Sequence, residues 1–229
     1  MVTTQVVRTD AATRTGADDE LFVALRMAES LGALPPRAVR CIHRALIQAF
    51  SIHRGQHRMS GEPYISHPLA MVYMLVLGLG IYDVGVLLLA LLHDGPEDQL
   101  LRIMPMYDQD RDLAVKRLER RYGCYGPELI TDLRILTHAS YQSKSCYLRD
   151  VAKRGSWRAL LVKLLDRYHN LLTLGFREPD DQRCEALMTL EIFPEILRAM
   201  LASDAPDAYK GEALWVWFEI HKLCQLYCK

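Results

Sequence analysis

The sequence predicts an all-α protein folded as one domain. Three observations carry that expectation. Apolar residues recur at spacings of three and four along most of the chain, Gly, Pro and Ser clusters fall between those stretches, and nothing reads convincingly as a strand. With 229 residues, half of them hydrophobic, the chain can bury one sizeable core. It is too short for two domains of ordinary size without a longer linker than it contains.

Residues 1 to 17, rich in Thr, Ala and Asp, are expected to form a disordered lead-in, and residues 18 to 229 the domain. From Asp18 onward Leu21, Leu25, Met27, Ala28 and Leu31 mark a helix that Gly32 stops. After Pro35-Pro36 a second helix runs to about His53 on Val39, Ile42, Ala45, Leu46 and Ala49. Arg54 to Ser66 reads as a loop. His67-Pro68 opens the next helix, with Pro68 suited to a first turn. After a turn near Gly80 another helix covers about Tyr82 to Asp94 and ends at Gly95-Pro96.

Further on, charged residues from Gln109 to Arg121 suggest an exposed helix, Gly126 or Pro127 starts one through Leu136, and Tyr147 to Lys153 predicts a short one. Ser156 is a candidate N-cap for Trp157 to about Leu174. Pro179-Asp180-Asp181 begins a helix that Pro194 is expected to kink or break. The last helix, from about Tyr209 to Tyr227, carries Trp215, Trp217, Phe218 and Leu223 and is expected to pack on the domain, with a dimer face as the alternative.

Charge and cysteine usage exclude several classes. Lys and Arg total 28, Asp and Glu 28, so the chain lacks the basic excess of a non-specific nucleic-acid binder. A small anionic substrate remains compatible, because a local arginine cluster suffices. Six cysteines, at positions 41, 124, 146, 184, 224 and 228, form no CxxC pair. They read as reduced, mostly buried thiols of a cytoplasmic protein. The N-terminus lacks a signal pattern. The apolar run Leu69–Leu92 is broken by Gly78, Gly80 and Asp83, leaving less than the ~18–20 residues a membrane span needs.

The stretch from Ser60 to Asp98 concentrates the chemistry. Ser-Gly-Glu-Pro-Tyr-Ile-Ser-His-Pro (Ser60 to Pro68) precedes the apolar run, and His-Asp-Gly-Pro-Glu-Asp (His93 to Asp98) follows it. If the two apolar helices are antiparallel, the start of the first and the end of the second meet, bringing His67 near His93 and Asp94. A fourth ligand is expected from the Trp157 helix. There Asp166, His169, Asn170 and Thr173 fall at i, i+3, i+4 and i+7, a polar stripe among leucines. Two imidazoles and two carboxylates suit manganese, iron or zinc better than calcium. The same residues can also be read as a polar core network, and Asp166 with Arg167 as an ion pair.

Three segments carry a resemblance. Arg58-Met-Ser-Gly-Glu-Pro-Tyr-Ile-Ser-His67-Pro, Ala90-Leu-Leu-His93-Asp94-Gly-Pro-Glu97-Asp98 and Val162-Lys-Leu-Leu-Asp166-Arg-Tyr-His-Asn170-Leu-Leu-Thr173-Leu resemble the hydrolase domain of the Rel/Spo alarmone family. That domain belongs to the HD superfamily of metal-dependent phosphohydrolases. The likeness spans about Val39 to Leu197, and with no synthetase segment following, the chain is similar to the stand-alone small alarmone hydrolases. It implies a helical HD domain with a metal between helix ends, and manganese-dependent removal of the 3′-pyrophosphate from guanosine tetra- or pentaphosphate. Matched by position, His67, His93, Asp94 and Asp166 are the implied metal ligands. Glu97 and Asp98 are the implied groups that orient and deprotonate water. Arg58 is implied to pack against the base, while Ser60, Asn170 and Thr173 line the nucleotide pocket. Arg54, Arg58, Lys163 and Arg167 are available to offset a polyanion.

The chain departs from the family pattern at Met59, where a basic residue is usual, and at Gly95-Pro96, where two aliphatic residues are usual. Leu165 replaces Ala before Asp166, and Leu172 replaces a common Arg. Met59 bears on which nucleotide binds. An adenosine alarmone or the 2′-phosphate of NADPH is the alternative substrate, and a nucleotide-sensing domain with little or no catalysis the alternative class.

Overall fold

The computed structural model describes residues 34–95, 119–138 and 142–229, and among these every extended element is helical. The expected lead-in and the helix after Asp18 lie outside the described residues, as does most of Gln109–Arg121. Helix α1, Pro36–Ile52, begins on a proline whose missing N–H costs nothing there. It buries Ala38, Cys41, Ile42, Ala45, Ala49 and Ile52 along one face. A loop closed by an isolated antiparallel bridge between His57 and Pro63 leads to α2, Ser66–Tyr73.

The apolar run folds as the hairpin that its glycines suggest. Helix α2 continues into a wider π-turn, Met74–Gly78, and Gly80 takes φ +65°, a left-handed value that a side chain would disfavour. Helix α3, Val84–Leu92, follows, and its Leu and Val residues are buried all round because other helices cover every side. Its start is tied down twice. Asp83 accepts from the Val86 N–H as N-cap, and its carboxylate pairs with Arg158 at 2.8 Å. The helix ends two residues earlier than expected, so His93 and Asp94 occupy the turn after it.

Helix α4, Gly126–Leu136, and helix α5, Lys144–Arg154, precede the central helix α6, Trp157–Leu172. Ser156 caps α6 as expected, accepting from the Ala159 N–H. Helix α6 touches α2 and α3 on one side and α7, Pro179–Ala202, and α8, Asp207–Tyr227, on the other. It therefore joins the two halves of the core.

A break at Pro194 and the burial of most cysteines are the two expectations corrected here. Pro194 neither breaks nor ends α7, which continues to Ala202. Phe193, Ile196 and Met200 are buried around it, so packing offsets the roughly 3 kcal/mol cost of a mid-helix proline. The cysteines are all free thiols, but only Cys41 and Cys224 are buried, while Cys124, Cys146 and Cys184 are exposed. Among the described residues no helix is long and apolar enough to cross a membrane.

Candidate metal centre and nucleotide pocket

Three elements converge on one point. Helix α2 contributes His67 in its first turn, the turn after α3 contributes His93 and Asp94, and α6 contributes Asp166. Each imidazole directs its Nε2 at carboxylate oxygens. His67 Nε2 lies 3.3 Å from Asp166 Oδ1 and 3.5 Å from Asp94 Oδ2. His93 Nε2 lies 3.1 Å from Asp94 Oδ1 and 3.8 Å from Asp166 Oδ1. Ligand atoms of His67, His93 and Asp166 all fall within 4.8 Å of one another.

The donor set fits a cation. Both Nε2 atoms are buried and neither makes a hydrogen bond, a costly arrangement unless something else satisfies their lone pairs. Neutral imidazole and carboxylate are the ligands a divalent transition ion takes. The backbone supports this state of His93, whose Nδ1 lies 3.0 Å from the Ala90 carbonyl. That contact holds a proton on Nδ1, so Nε2 is the nitrogen that can give up its proton to a metal.

The electrostatics also call for positive charge. Burial by itself would lower the His93 pKa, but the carboxylates of Asp94 and Asp166 outweigh it and raise the value to about 10. Burial dominates at His67 and lowers its pKa. Although burial opposes it, the His93 charge holds Asp94 below the usual carboxylate range, and Lys163 does the same for Asp166. Both acids are ionised near neutral pH.

A second ring of side chains orients the first. His169 Nδ1 meets His67 Nδ1 at 2.8 Å, and Tyr64 donates to Asp94 Oδ2 at 2.9 Å. Lys163 Nζ pairs with Asp166 Oδ2 at 2.9 Å, which leaves Oδ1 as the oxygen facing the imidazoles. Asn170 Nδ2 donates to that Oδ1 at 2.6 Å. Sequence reasoning placed His169 on the polar stripe without a role, considered Lys163 only as a substrate cation, and gave Tyr64 none. Stripe spacing was the available signal for His169; nothing marked Tyr64.

The centre opens into a cavity of about 360 Å³, within the range of small-molecule sites. Arg58, Ser60, Asn170 and Thr173 all line it. Arg58 Nη2 donates to Asn170 Oδ1 at 3.0 Å and to Thr173 Oγ1 at 2.9 Å, while Ser60 donates to Glu62 at 2.9 Å. Of the cations considered from sequence, Arg58, Lys163 and Arg167 face the cavity and Arg54 does not line it; Lys144 and Arg177 do and had not been foreseen. Met59 also lines it and is 69% exposed. Leu165 is buried in the hydrophobic core and Leu172 is exposed, and neither lines the cavity. Glu97 and Asp98, like Pro96, lie outside the described residues.

No protein-family model matches the chain. Among curated proteins it is 34% identical over 166 residues to the bifunctional (p)ppGpp synthase/hydrolase SpoT of Escherichia coli, covering 70% of this chain and 22% of that protein. It is 33% identical over 160 residues to a GTP pyrophosphokinase of Streptomyces coelicolor, covering 68% and 17%. A probable guanosine-3′,5′-bis(diphosphate) 3′-pyrophosphohydrolase of Synechocystis is 30% identical over 164 residues, covering 69% and 20%. The chain thus spans about a fifth of the length of these relatives. A solved structure described as a metazoan ortholog of SpoT that hydrolyzes ppGpp matches with TM-score 0.56 at 23% identity, over 78% of this chain and 94% of that one. That likeness is one of fold.

Proposed function

Because the chain belongs to the Rel/Spo family of HD-domain alarmone hydrolases, we propose that it removes the 3′-pyrophosphate from guanosine tetra- or pentaphosphate. The observation that carries this reading is the pair of buried, unpartnered imidazole Nε2 atoms of His67 and His93 facing Asp94 and Asp166 on the wall of a cation-lined cavity.

In this reading His67, His93, Asp94 and Asp166 would hold one divalent ion, for which manganese suits the two imidazoles and two carboxylates. Such an ion supplies Lewis acidity, lowering the pKa of water and offsetting charge on the phosphoryl oxygens. The chain's own groups do the rest. Arg58 packs beside the base, held in place by Asn170 and Thr173. Ser60 joins Asn170 and Thr173 in lining the nucleotide pocket. Lys163 fixes which Asp166 oxygen faces the cluster. Glu97 and Asp98 orient a water and take its proton. Two adjacent acids resist ionising together, so one acts as base while the other stays protonated. The water oxygen bonds to phosphorus, the bond to the 3′-oxygen breaks, and the proton passes to that oxygen, giving a 3′-hydroxyl and pyrophosphate.

The test is product identification after incubating manganese-loaded protein with a panel of phosphorylated nucleotides. Pyrophosphate released from guanosine tetraphosphate, and lost in Asp94→Ala, is the expected result. Phosphate from NADPH, or turnover confined to an adenosine alarmone, would move the reading to another nucleotide. Met59, exposed in the cavity lining, is the feature that favours that second reading. Nucleotide binding without any turnover would leave a sensing domain.

A further inference from the structure

Glu185 is the one carboxylate among the described lining residues that stands outside the His–Asp cluster. A negative group in the wall of a pocket for a polyanion works against binding unless something neutralises it. Three cations do so here. Lys144 Nζ donates to Glu185 Oε1 at 2.6 Å, Arg167 Nη2 to Oε2 at 2.7 Å, and Arg177 Nη1 stands 3.9 Å from Oε1. All four residues line the same cavity as Asp94 and Asp166.

These cations are not equally tied. Arg167 also donates to Thr189 Oγ1 and to the Glu185 carbonyl, packs over the Phe193 ring and is buried. It is a fixed part of the α6–α7 contact. Lys144 and Arg177 have side chains 46% and 43% exposed, long enough to turn their charged ends from Glu185 toward the cavity. Lys144 comes from the start of α5, Arg177 from the segment after α6 and Glu185 from α7, while Arg167 is the neighbour of Asp166 on α6, so the group adjoins the α2–α3–α6 junction that carries the metal cluster.

We propose that Lys144 and Arg177 form a subsite for the phosphate chain at the uncleaved end of the nucleotide, and that Glu185 occupies these two cations until a phosphate displaces it. This rests on the polyphosphorylated-nucleotide reading above. Glu185 then tempers specificity. A monophosphate stops short of the two cations, whereas a di- or triphosphate reaches them only by displacing the carboxylate, so Glu185 reduces the advantage of the longer phosphate chain. The site discriminates by the number of phosphates at that end.

The test compares KM and kcat for guanosine 3′-diphosphates carrying one, two or three 5′-phosphates, using manganese-loaded wild type, Glu185→Gln and Lys144→Met. Glu185→Gln keeps an acceptor for Arg167 while removing the competing charge. It should lower KM for the triphosphate by about three- to tenfold relative to the monophosphate, and Lys144→Met should shift the ratio the other way by a similar factor. Arg149→Met, which breaks exposed pairs to Glu191 and Glu195 away from the cavity, should leave the ratio unchanged. Equilibrium binding of GMP and GTP to the same proteins is the second readout. If wild type hydrolyses the tetraphosphate but neither cavity variant alters the phosphate-number ratio, the subsite is wrong and the hydrolase reading stands. If nothing is hydrolysed yet Lys144→Met selectively weakens GTP binding, the subsite stands and the hydrolase reading falls. An unchanged GTP-to-GMP ratio without turnover overturns both.

Discussion

His169 faces His67 nitrogen to nitrogen, with 2.8 Å between their Nδ1 atoms. The two rings sit 102 residues apart in sequence, on α6 and α2. Burial, with His67 and Arg58 nearby, holds the His169 pKa down to about 3, so its ring is neutral at any working pH. For His67 to present an Nε2 lone pair, its Nδ1 must carry the proton and donate to His169. His169 thus sets the tautomer of a metal-ligating candidate.

Replacing His169 with Ala should therefore weaken divalent-metal binding by about 10- to 100-fold without unfolding the protein. Competition against a chelator, with helicity followed by circular dichroism, measures both. His169→Gln, which can still accept from His67, should recover part of the loss. Equal affinity in Ala and wild type would remove the orienting role.

Metal affinity should rise with pH. With its pKa near 10, His93 in the metal-free protein carries a proton over most of the accessible range, and a metal ligand must shed it. One proton released per ion corresponds to about tenfold tighter binding per pH unit below that value. Titrations at two pH values check the slope. His93→Gln should flatten it.

The same shift affects the metal-free fold with the opposite sign. A histidine whose folded pKa is raised stabilises the protein fully below its unfolded value of about 6.5, and loses that contribution as pH rises toward about 10. Urea midpoints of the chelator-treated protein should fall across that window. With manganese present the decline should be masked, because bound ion stabilises the native state.

Asp83→Ala should destabilise the protein by about 2 kcal/mol, since it removes an N-cap and one side of an ion pair that is largely shielded from solvent. Chemical denaturation measures the change. Arg158 keeps Glu128 at 2.9 Å, so the arginine is not left stranded. Because α3 carries His93 at its far end, a loosened α3 should also reduce metal affinity modestly.

Much of the centre was legible before any coordinates. Hydrophobic spacing and the glycines at 78 and 80 implied a helical hairpin, and a hairpin is sufficient to bring His67 to His93 and Asp94. The 3.6-residue repeat put Asp166, His169, Asn170 and Thr173 on one face. Pro194 does not break α7, because an intrinsic penalty of a few kcal/mol is smaller than the burial of Phe193 and Ile196 beside it. The cysteines were misread because composition says nothing about which face a residue occupies.

What the chain determined by itself was the helical class, the hairpin and the identity of the clustered histidines and acids, since these follow from local periodicity and short connections. Tertiary packing decided which partner each side chain meets. His169 turns to His67, Tyr64 to Asp94, and Glu185 gathers Lys144, Arg167 and Arg177 from three separate segments. Such pairings depend on how α2 and α3 pack on α6, and on how α5, α6 and α7 pack against one another. Hydrogen bonds and ion pairs act over a few ångströms, and residues distant in sequence come within that range only once the helices have docked.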